Sequence, residues 1–288
     1  MRGSLAARLV TASRPLSWIN TAYPFAAAYL LAGGRIDAAL IVGTIFFLIP
    51  YNLAMYGIND VFDYESDAVN PRKGGVEGAL LPPATHRRVI AWSVGACAPF
   101  VVALVVLGGP WSWAVLVLAL FAVAAYSVPG LRFKEIPGLD AITSSLHFAL
   151  PAVYGIVLAG GAWDLTAVVV LLAFFLWGCA SQAFGAVQDV VPDRAGGIRS
   201  IATGLGAART VRLAIALWAA AGLLLLTAPP PVPLAALLAL PYLALAWPYR
   251  SVTDEDSGSA NRAWRRLLIV NYLVGFAATM LIIWVVLA

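Results

Sequence analysis

The chain consists of long apolar runs separated by short stretches that gather charge and proline. The runs lie near 17–34, 38–57, 88–108, 111–128, 139–159, 165–187, 208–227, 231–247 and 266–288. A bilayer core is about 30 Å thick, and a helix needs roughly 20 apolar residues to cross it. Each run therefore predicts one transmembrane helix, nine in all. The runs are continuous rather than alternating in steps of two, which argues against an outer-membrane barrel. The tight connections Gly108-Gly109-Pro110 and Pro229-Pro230-Pro231 split the third run from the fourth and the seventh from the eighth. The helix count depends on those two turns.

Composition agrees with the pattern. Only 11% of the residues are charged and 62% are hydrophobic, against about 25% charged in a soluble domain. The N-terminus carries scattered arginines and no small-residue cleavage site, so no signal peptide is expected. Cys97 and Cys179 both sit in apolar runs and are expected as small buried hydrophobes, without a disulfide or cysteine metal site.

Charge then orients the helices. With nine spans, 17 of the 18 basic residues fall on one side and Arg35 alone on the other. The positive-inside bias makes the crowded side cytoplasmic, with the N-terminus inside and the C-terminus outside. The net charge of +4 is spread over the N-terminal tail and four loops. It suits an anionic inner leaflet and needs no nucleic acid to explain it. The expectation is one membrane-embedded domain over 1–288, placed in the cell membrane.

Two acidic clusters carry candidate chemistry. The second helix runs into Asn59-Asp60-Val61-Phe62-Asp63-Tyr64-Glu65-Ser66-Asp67. If it continues, Asn59, Asp63 and Asp67 share a face at i, i+4 and i+8, with Asp60 beside them. Carboxylates so placed repel one another and need a cation. Hard oxygen donors without His or Cys suit Mg²⁺, which keeps waters and is commonly shared with substrate phosphates. The sixth helix ends in Gln188-Asp189-Val190-Val191-Pro192-Asp193, where Asp189 and Asp193 repeat the i, i+4 spacing. Pro192 is placed to kink or end that helix. Asp63 precedes Asp189 by 126 residues, and Asp67 precedes Asp193 by the same number. Residues 17–128 and 139–247 are therefore expected to be two parallel four-helix repeats, with the ninth helix added. Repeats of this kind tend to build a site where they meet. Arg72, Lys73, Arg132, Lys134, Arg194 and Arg199 flank the clusters and are candidate ligands for a diphosphate. Two readings fit: an enzyme handling a Mg²⁺-diphosphate, or a transporter of an anionic substrate. Transporter sites usually lie near the midplane, whereas these carboxylates lie at helix ends.

With these residues in view, the chain resembles the UbiA superfamily of intramembrane prenyltransferases. Asn59-Asp60-x-x-Asp63-x-x-x-Asp67 matches that family's first signature, and Asp189-x-x-x-Asp193 with Gly197 and Ser200 resembles its second. Tyr126-Ser127-Val128-Pro129 before Arg132 and Lys134 resembles its Tyr-x-x-Pro stretch. The resemblance implies that both motifs bind Mg²⁺ and the diphosphate of an allylic prenyl donor. Asn59, Asp63, Asp67, Asp189 and Asp193 would be the ligands, with Asp60 and Tyr126 also in the catalytic set. The first motif continues as Asn70-Pro71-Arg72-Lys73-Gly74-Gly75, which departs from the Arg-Thr-x-x-Arg-Pro of many quinone-type members. Together with Ser13-Arg14-Pro15-Leu16-Ser17-Trp18 and Thr143-Ser144-Ser145-Leu146-His147-Phe148, this resembles the lycopene elongase branch. That branch adds C5 units to lycopene, an apolar acceptor delivered by the membrane lipid. Quinone precursors, tetrapyrroles and lipid alcohols are the alternative acceptors.

Other polar residues invite plainer expectations. Asn20, Asn52, Gln182 and Asn271 are expected to hydrogen-bond between helices. Gln188 is expected to support Asp189. His147 is expected to be a satisfied core residue and Asp140 an N-cap. Tyr126 is placed to offer a π-face to an allylic cation.

Overall fold

The computed structural model describes residues 4–68 and 79–287. Among them it is helical throughout, with no strand. In chain order the helices are α1 (Leu5–Ala12), α2 (Ile19–Leu31), α3 (Ala38–Leu48), α4 (Pro50–Phe62), α5 (Tyr64–Ala68), α6 (His86–Leu107) and α7 (Pro110–Ser127). There follow α8 (Leu139–Leu158), α9 (Leu165–Val187), α10 (Val190–Ala195), α11 (Ile201–Leu205), α12 (Ala207–Leu225), α13 (Leu240–Ala246) and α14 (Asn261–Leu287). Eight segments among the described residues are long and apolar enough to cross a bilayer. They correspond to the second through ninth sequence runs. The first run forms α2, which at 13 residues spans about 20 Å at 1.5 Å per residue.

Two spans depart from the simple helix expected. The second is broken at Ile49, because Pro50 cannot donate a backbone hydrogen bond and starts α4 instead. Inside a membrane the freed carbonyls need partners. Thr21 Oγ1 donates to the Phe47 carbonyl at 2.6 Å, and Asn52 Nδ2 donates to Thr21 Oγ1 at 2.7 Å and to the Phe47 carbonyl at 2.8 Å. Asn52 is thus the interhelical partner expected of it, and it makes the break tolerable. The eighth span winds as a 3₁₀-helix over Val232–Ala239 before α13. Its prolines remove donors, and its tight coil packs on Gly222 of α12, where a Cβ would lie 3.1 Å from that of Ala239.

The chain divides into two compact units, one of Met1–Phe133 with Leu146–Ala162, the other of Lys134–Ser145 with Trp163–Ala288. The first unit is built around Phe25, Phe46, Phe47, Tyr51 and Tyr154, whose rings meet edge-on, tilted or stacked at 4.9–6.0 Å. Gly155 lets α8 approach α2 closely: a Cβ there would lie 2.5 Å from the Phe25 carbonyl oxygen. The second unit packs α9 on α12 around Phe184, Trp218 and Tyr242. Large apolar side chains stand exposed along α6, α7 and α14, among them Val102, Val106, Val117, Ile269 and Phe276. Apolar surface on this scale is rare in a soluble protein; on these helices it faces the lipid of a multi-pass membrane protein.

Candidate active site

The first motif occupies the end of α4 and all of α5. α4 stops at Phe62, yet its backbone ladder carries on. The Asp63 amide donates to the Asn59 carbonyl at 2.9 Å, and the Asp67 amide donates to the Asp63 carbonyl at 2.8 Å. The i, i+4, i+8 register expected of Asn59, Asp63 and Asp67 is therefore kept across the junction. Asn59 is fixed by Ser127 at the end of α7, whose hydroxyl donates to Asn59 Oδ1 at 3.0 Å. That oxygen keeps a second lone pair for a metal. Gly130, in the left-handed region with φ 93°, turns the chain after α7. The turn brings the Arg132 guanidinium to 3.8 Å from Asp63 Oδ1. The half-buried Tyr126 stands on α7 next to Ser127.

Asp60 behaves differently from its neighbours. It is buried, and Arg14 holds its Oδ1 at 2.9 Å while the Ala79 amide donates to its Oδ2 at 3.2 Å. Arg14 also lies over the Tyr56 ring, 4.2 Å from its centroid. Burial alone would lower the Arg14 guanidinium. The charge of Asp60 more than offsets that and holds it above its ordinary value. Both carboxylate oxygens of Asp60 thus fasten the N-terminal segment and residue 79 to α4. That is a structural task, held beside the catalytic one that the sequence pattern leads one to expect. Arg72 and Lys73 lie outside the described residues.

In the second unit, α9 ends at Val187 and α10 begins after Asp189. Pro192 falls in the first turn of α10, where a helix does not use its N–H groups. The Asp193 amide therefore still donates to the Asp189 carbonyl, at 2.8 Å, and the i, i+4 pair survives the proline. Gln188 accepts a hydrogen bond from Asn261 and donates to the Gly185 carbonyl at 3.0 Å, which anchors the residue before Asp189. Arg194 reaches Asp254 at 2.6 Å and the Thr203 carbonyl at 3.2 Å. Asp254 also accepts from the Ala207 amide at 2.6 Å, capping α12. That amide, with Arg194, holds the Asp254 carboxyl below its ordinary range. Arg199 is exposed and Lys134 half-buried. Asp140 is the second residue of α8 rather than its N-cap, because the helix already starts at Leu139. Its Oδ1 accepts from the Gly138 amide at 2.8 Å and its Oδ2 from the Ile201 amide at 2.7 Å, tying the start of α8 to α11.

The donor sets suit Mg²⁺ that keeps much of its own water. Asn59, Asp63 and Asp67 offer an amide and two carboxylates in one register, Asp189 and Asp193 offer two more, and a cation, Arg132, already faces Asp63. Among the described residues, no three His, Cys, Asp or Glu side chains converge as a closed metal cage. An ion that borrows ligands from water and substrate phosphates needs no such cage.

Three comparisons bear on identity. The model of the UbiA prenyltransferase family matches residues 21–273. The chain is 52% identical over 280 residues to a C(50) beta-cyclic carotenoids biosynthesis protein of Dietzia sp., covering 97% of this chain but only 65% of that longer protein. It is 49% identical to a lycopene elongase/hydratase of Corynebacterium glutamicum, covering 96% of both chains. A UbiA homolog from Archaeoglobus fulgidus, solved bound to DMAPP and Mg²⁺, shares the fold with a TM-score of 0.65. It is 16% identical, and the alignment covers 93% of this chain and 98% of that one. The family match includes both carboxylate motifs with the helices that carry them, and the chain belongs to the UbiA prenyltransferase family.

Proposed function

We propose that this membrane prenyltransferase transfers a C5 allylic group from dimethylallyl diphosphate to the terminal double bond of lycopene, at one end and then at the other. The observation that carries this reading is the 49% identity to the Corynebacterium glutamicum lycopene elongase/hydratase across 96% of both chains. The polar residues within the spans support an apolar acceptor, since several bond to one another. Asn52 donates to Thr21, Ser144 to Gln182 and Tyr242 to Asn271. A site that read a carboxylated or hydroxyl-rich head group would need polar side chains kept for it.

Asn59, Asp63 and Asp67, with Asp189 and Asp193, would hold Mg²⁺, which when bound stabilises negative charge on the departing diphosphate. Arg132 swings from Asp63 to the diphosphate, and Arg72, Lys73, Lys134 and Arg199 supply further positive charge. Asp60 and Arg194 contribute by position: one fastens the first motif, the other fastens the loop that follows the second. Tyr126 offers its π-face to the allylic cation, and the apolar surroundings limit capture of that cation by water. Both motifs and the N-terminus face the cytoplasm, as the basic residues of the loops support.

Expression in a lycopene-making bacterium tests the acceptor. The pigment should gain one and then two C5 units by mass, giving C45 and C50 products. An unchanged lycopene pool in membranes that prenylate an aromatic acid would replace lycopene with that acceptor.

A further inference from the structure

A cleft of about 300 Å³ opens in the second unit, beside the start of α12. That volume lies at the lower end of the range for small-molecule sites, about 300–1,000 Å³. Gly206, Arg209 and Arg212 line it from the start of α12, and Ser251, Thr253 and Asp254 line it from the loop between α13 and α14. Neither Asp189 nor Asp193 of the second motif is part of its wall.

The charge of this cleft is unbalanced. Arg209 and Arg212 are exposed and three positions apart, so they stand on one face of the helix. Like charges so spaced repel, and the start of a helix is its positive end, where cations are disfavoured. No acidic residue stands in the first turn of α12 to answer them. Of Asp254, Glu255 and Asp256 in the facing loop, only Asp254 lines the cleft, and both its oxygens are engaged. Its Oδ2 meets Arg194 at 2.6 Å, and its Oδ1 accepts from the Ala207 amide at 2.6 Å. Arg209 makes no hydrogen bond or ion pair among the described residues. Arg212 Nε donates to the Ala208 carbonyl at 3.2 Å, which steadies the guanidinium and leaves its terminal nitrogens for a ligand. Thr253 Oγ1 accepts from the Asp256 amide at 3.3 Å and keeps its own proton to donate. Ser251 offers a second hydroxyl. Two guanidiniums and two hydroxyls suit the several acceptor oxygens of a phosphate.

Position names the source of that phosphate. Arg209 and Arg212 fall in the first two turns of α12, where the span Ala207–Leu225 begins. The exposed Trp247 lies just before the facing loop, with the Arg250 guanidinium 4.8 Å from its ring centroid. Tryptophan gathers at the level of lipid head groups, and basic pockets between spans at that level bind anionic head groups. We infer that the cleft binds the phosphate of an anionic lipid, held by Arg209 and Arg212 and hydrogen-bonded by Ser251 and Thr253. The free phosphate ion carries the same oxygens, and the test separates the two sources.

The whole chain, purified in a neutral detergent, is titrated with phosphatidylglycerol, with phosphatidylcholine and with inorganic phosphate alone. Retained lipid is read by native mass spectrometry, and the midpoint of thermal unfolding is followed in parallel. Phosphatidylglycerol should be retained over phosphatidylcholine and should raise the midpoint. Each arginine should contribute about fivefold to affinity, so Arg209→Gln with Arg212→Gln should weaken retention about 25-fold. Arg87→Gln with Arg88→Gln removes two exposed charges from the start of α6 and should leave retention near the wild-type value. If the lipids are retained equally, but inorganic phosphate raises the midpoint of the wild type and not of the Arg209 and Arg212 double variant, the phosphate site stands with the free ion as its occupant. Neither response in the wild type, or equal losses in the two double variants, overturns the inference.

Discussion

Replacing Arg14 by alanine removes a guanidinium from a buried carboxylate, and the cost follows from the structure. Asp60 is 0% exposed at its side chain, and Arg14 is 22% exposed. Breaking a buried pair by removing one partner costs about 3–5 kcal/mol, because the remaining charge stays desolvated. The cation–π contact with Tyr56 adds about 0.5–1 kcal/mol at a partly exposed site. One term opposes these. Arg14 is left-handed, with φ 51°, a strain of about 1–2 kcal/mol for a residue with a Cβ. Arg14→Ala keeps that strain and Arg14→Gly relieves it. The pair is the larger effect, so both variants should be destabilised, with Gly about 1 kcal/mol less than Ala. Asp60→Asn leaves Arg14 near solvent and should cost less than Arg14→Ala. In the double variant the two losses should fall short of their sum by at least about 1 kcal/mol. Reversible unfolding in mixed detergent–SDS micelles gives all four values. Arg14→Ala within about 0.5 kcal/mol of wild type, with additive losses in the double variant, would refute the strut.

Asp63→Ala and Asp189→Ala should each lower turnover by at least about 100-fold while the protein still inserts, whereas Asp60→Asn should retain measurable turnover. Label-transfer rates on detergent-purified protein check this, and equal losses in all three would return Asp60 to the catalytic set. Asp254→Ala should cost about 1 kcal/mol through the lost cap on α12. Because folding depresses the Asp254 carboxyl below its ordinary 3.8, the wild-type advantage should be complete above that pH. It should vanish as pH falls through the lower folded value; an advantage that instead fades on raising the pH from 5 to 8 would contradict the assignment. Ser259→Cys should be labelled from the cytoplasmic side by an impermeant maleimide, and Val286→Cys from the outside, in right-side-out and inverted vesicles. Labelling of both from one side would break the proposed topology.

The hydrophobic runs made the membrane fold legible, because each span must satisfy its own backbone and so must be a helix of a minimum length. The donor motifs were legible for a related reason: spacing by four on a helix sets register, and the backbone bonds through Asp63, Asp67 and Asp193 keep it. The pattern could not say which carboxylates were spoken for. Asp60 looks like its neighbours in sequence, and only the fold brings Arg14 to it from 46 positions away. Arg194 reads as a phosphate ligand because it follows the motif, and its bond to Asp254, 60 residues on, is likewise visible only in the fold. Asp140 read as a cap, and its bond to Ile201 is equally long-range. His147 read as a core residue, and it is 3% exposed with its ring against Tyr126. Ser127 was within reach: it sits in the Tyr-x-x-Pro string, although its role on Asn59 depends on tertiary contact.

The central claim, Mg²⁺-dependent prenyl transfer to lycopene, is tested most directly by one measurement on the purified chain. Protein in lycopene-loaded vesicles receives dimethylallyl diphosphate labelled at C1, and carotenoid-bound label and free diphosphate are followed together as Mg²⁺ is added and then chelated. The account predicts label in C45 and then C50 carotenoid, one diphosphate released per C5 unit, and arrest on chelation. Label that never enters the carotenoid, or enters it at an undiminished rate without divalent metal, would contradict it.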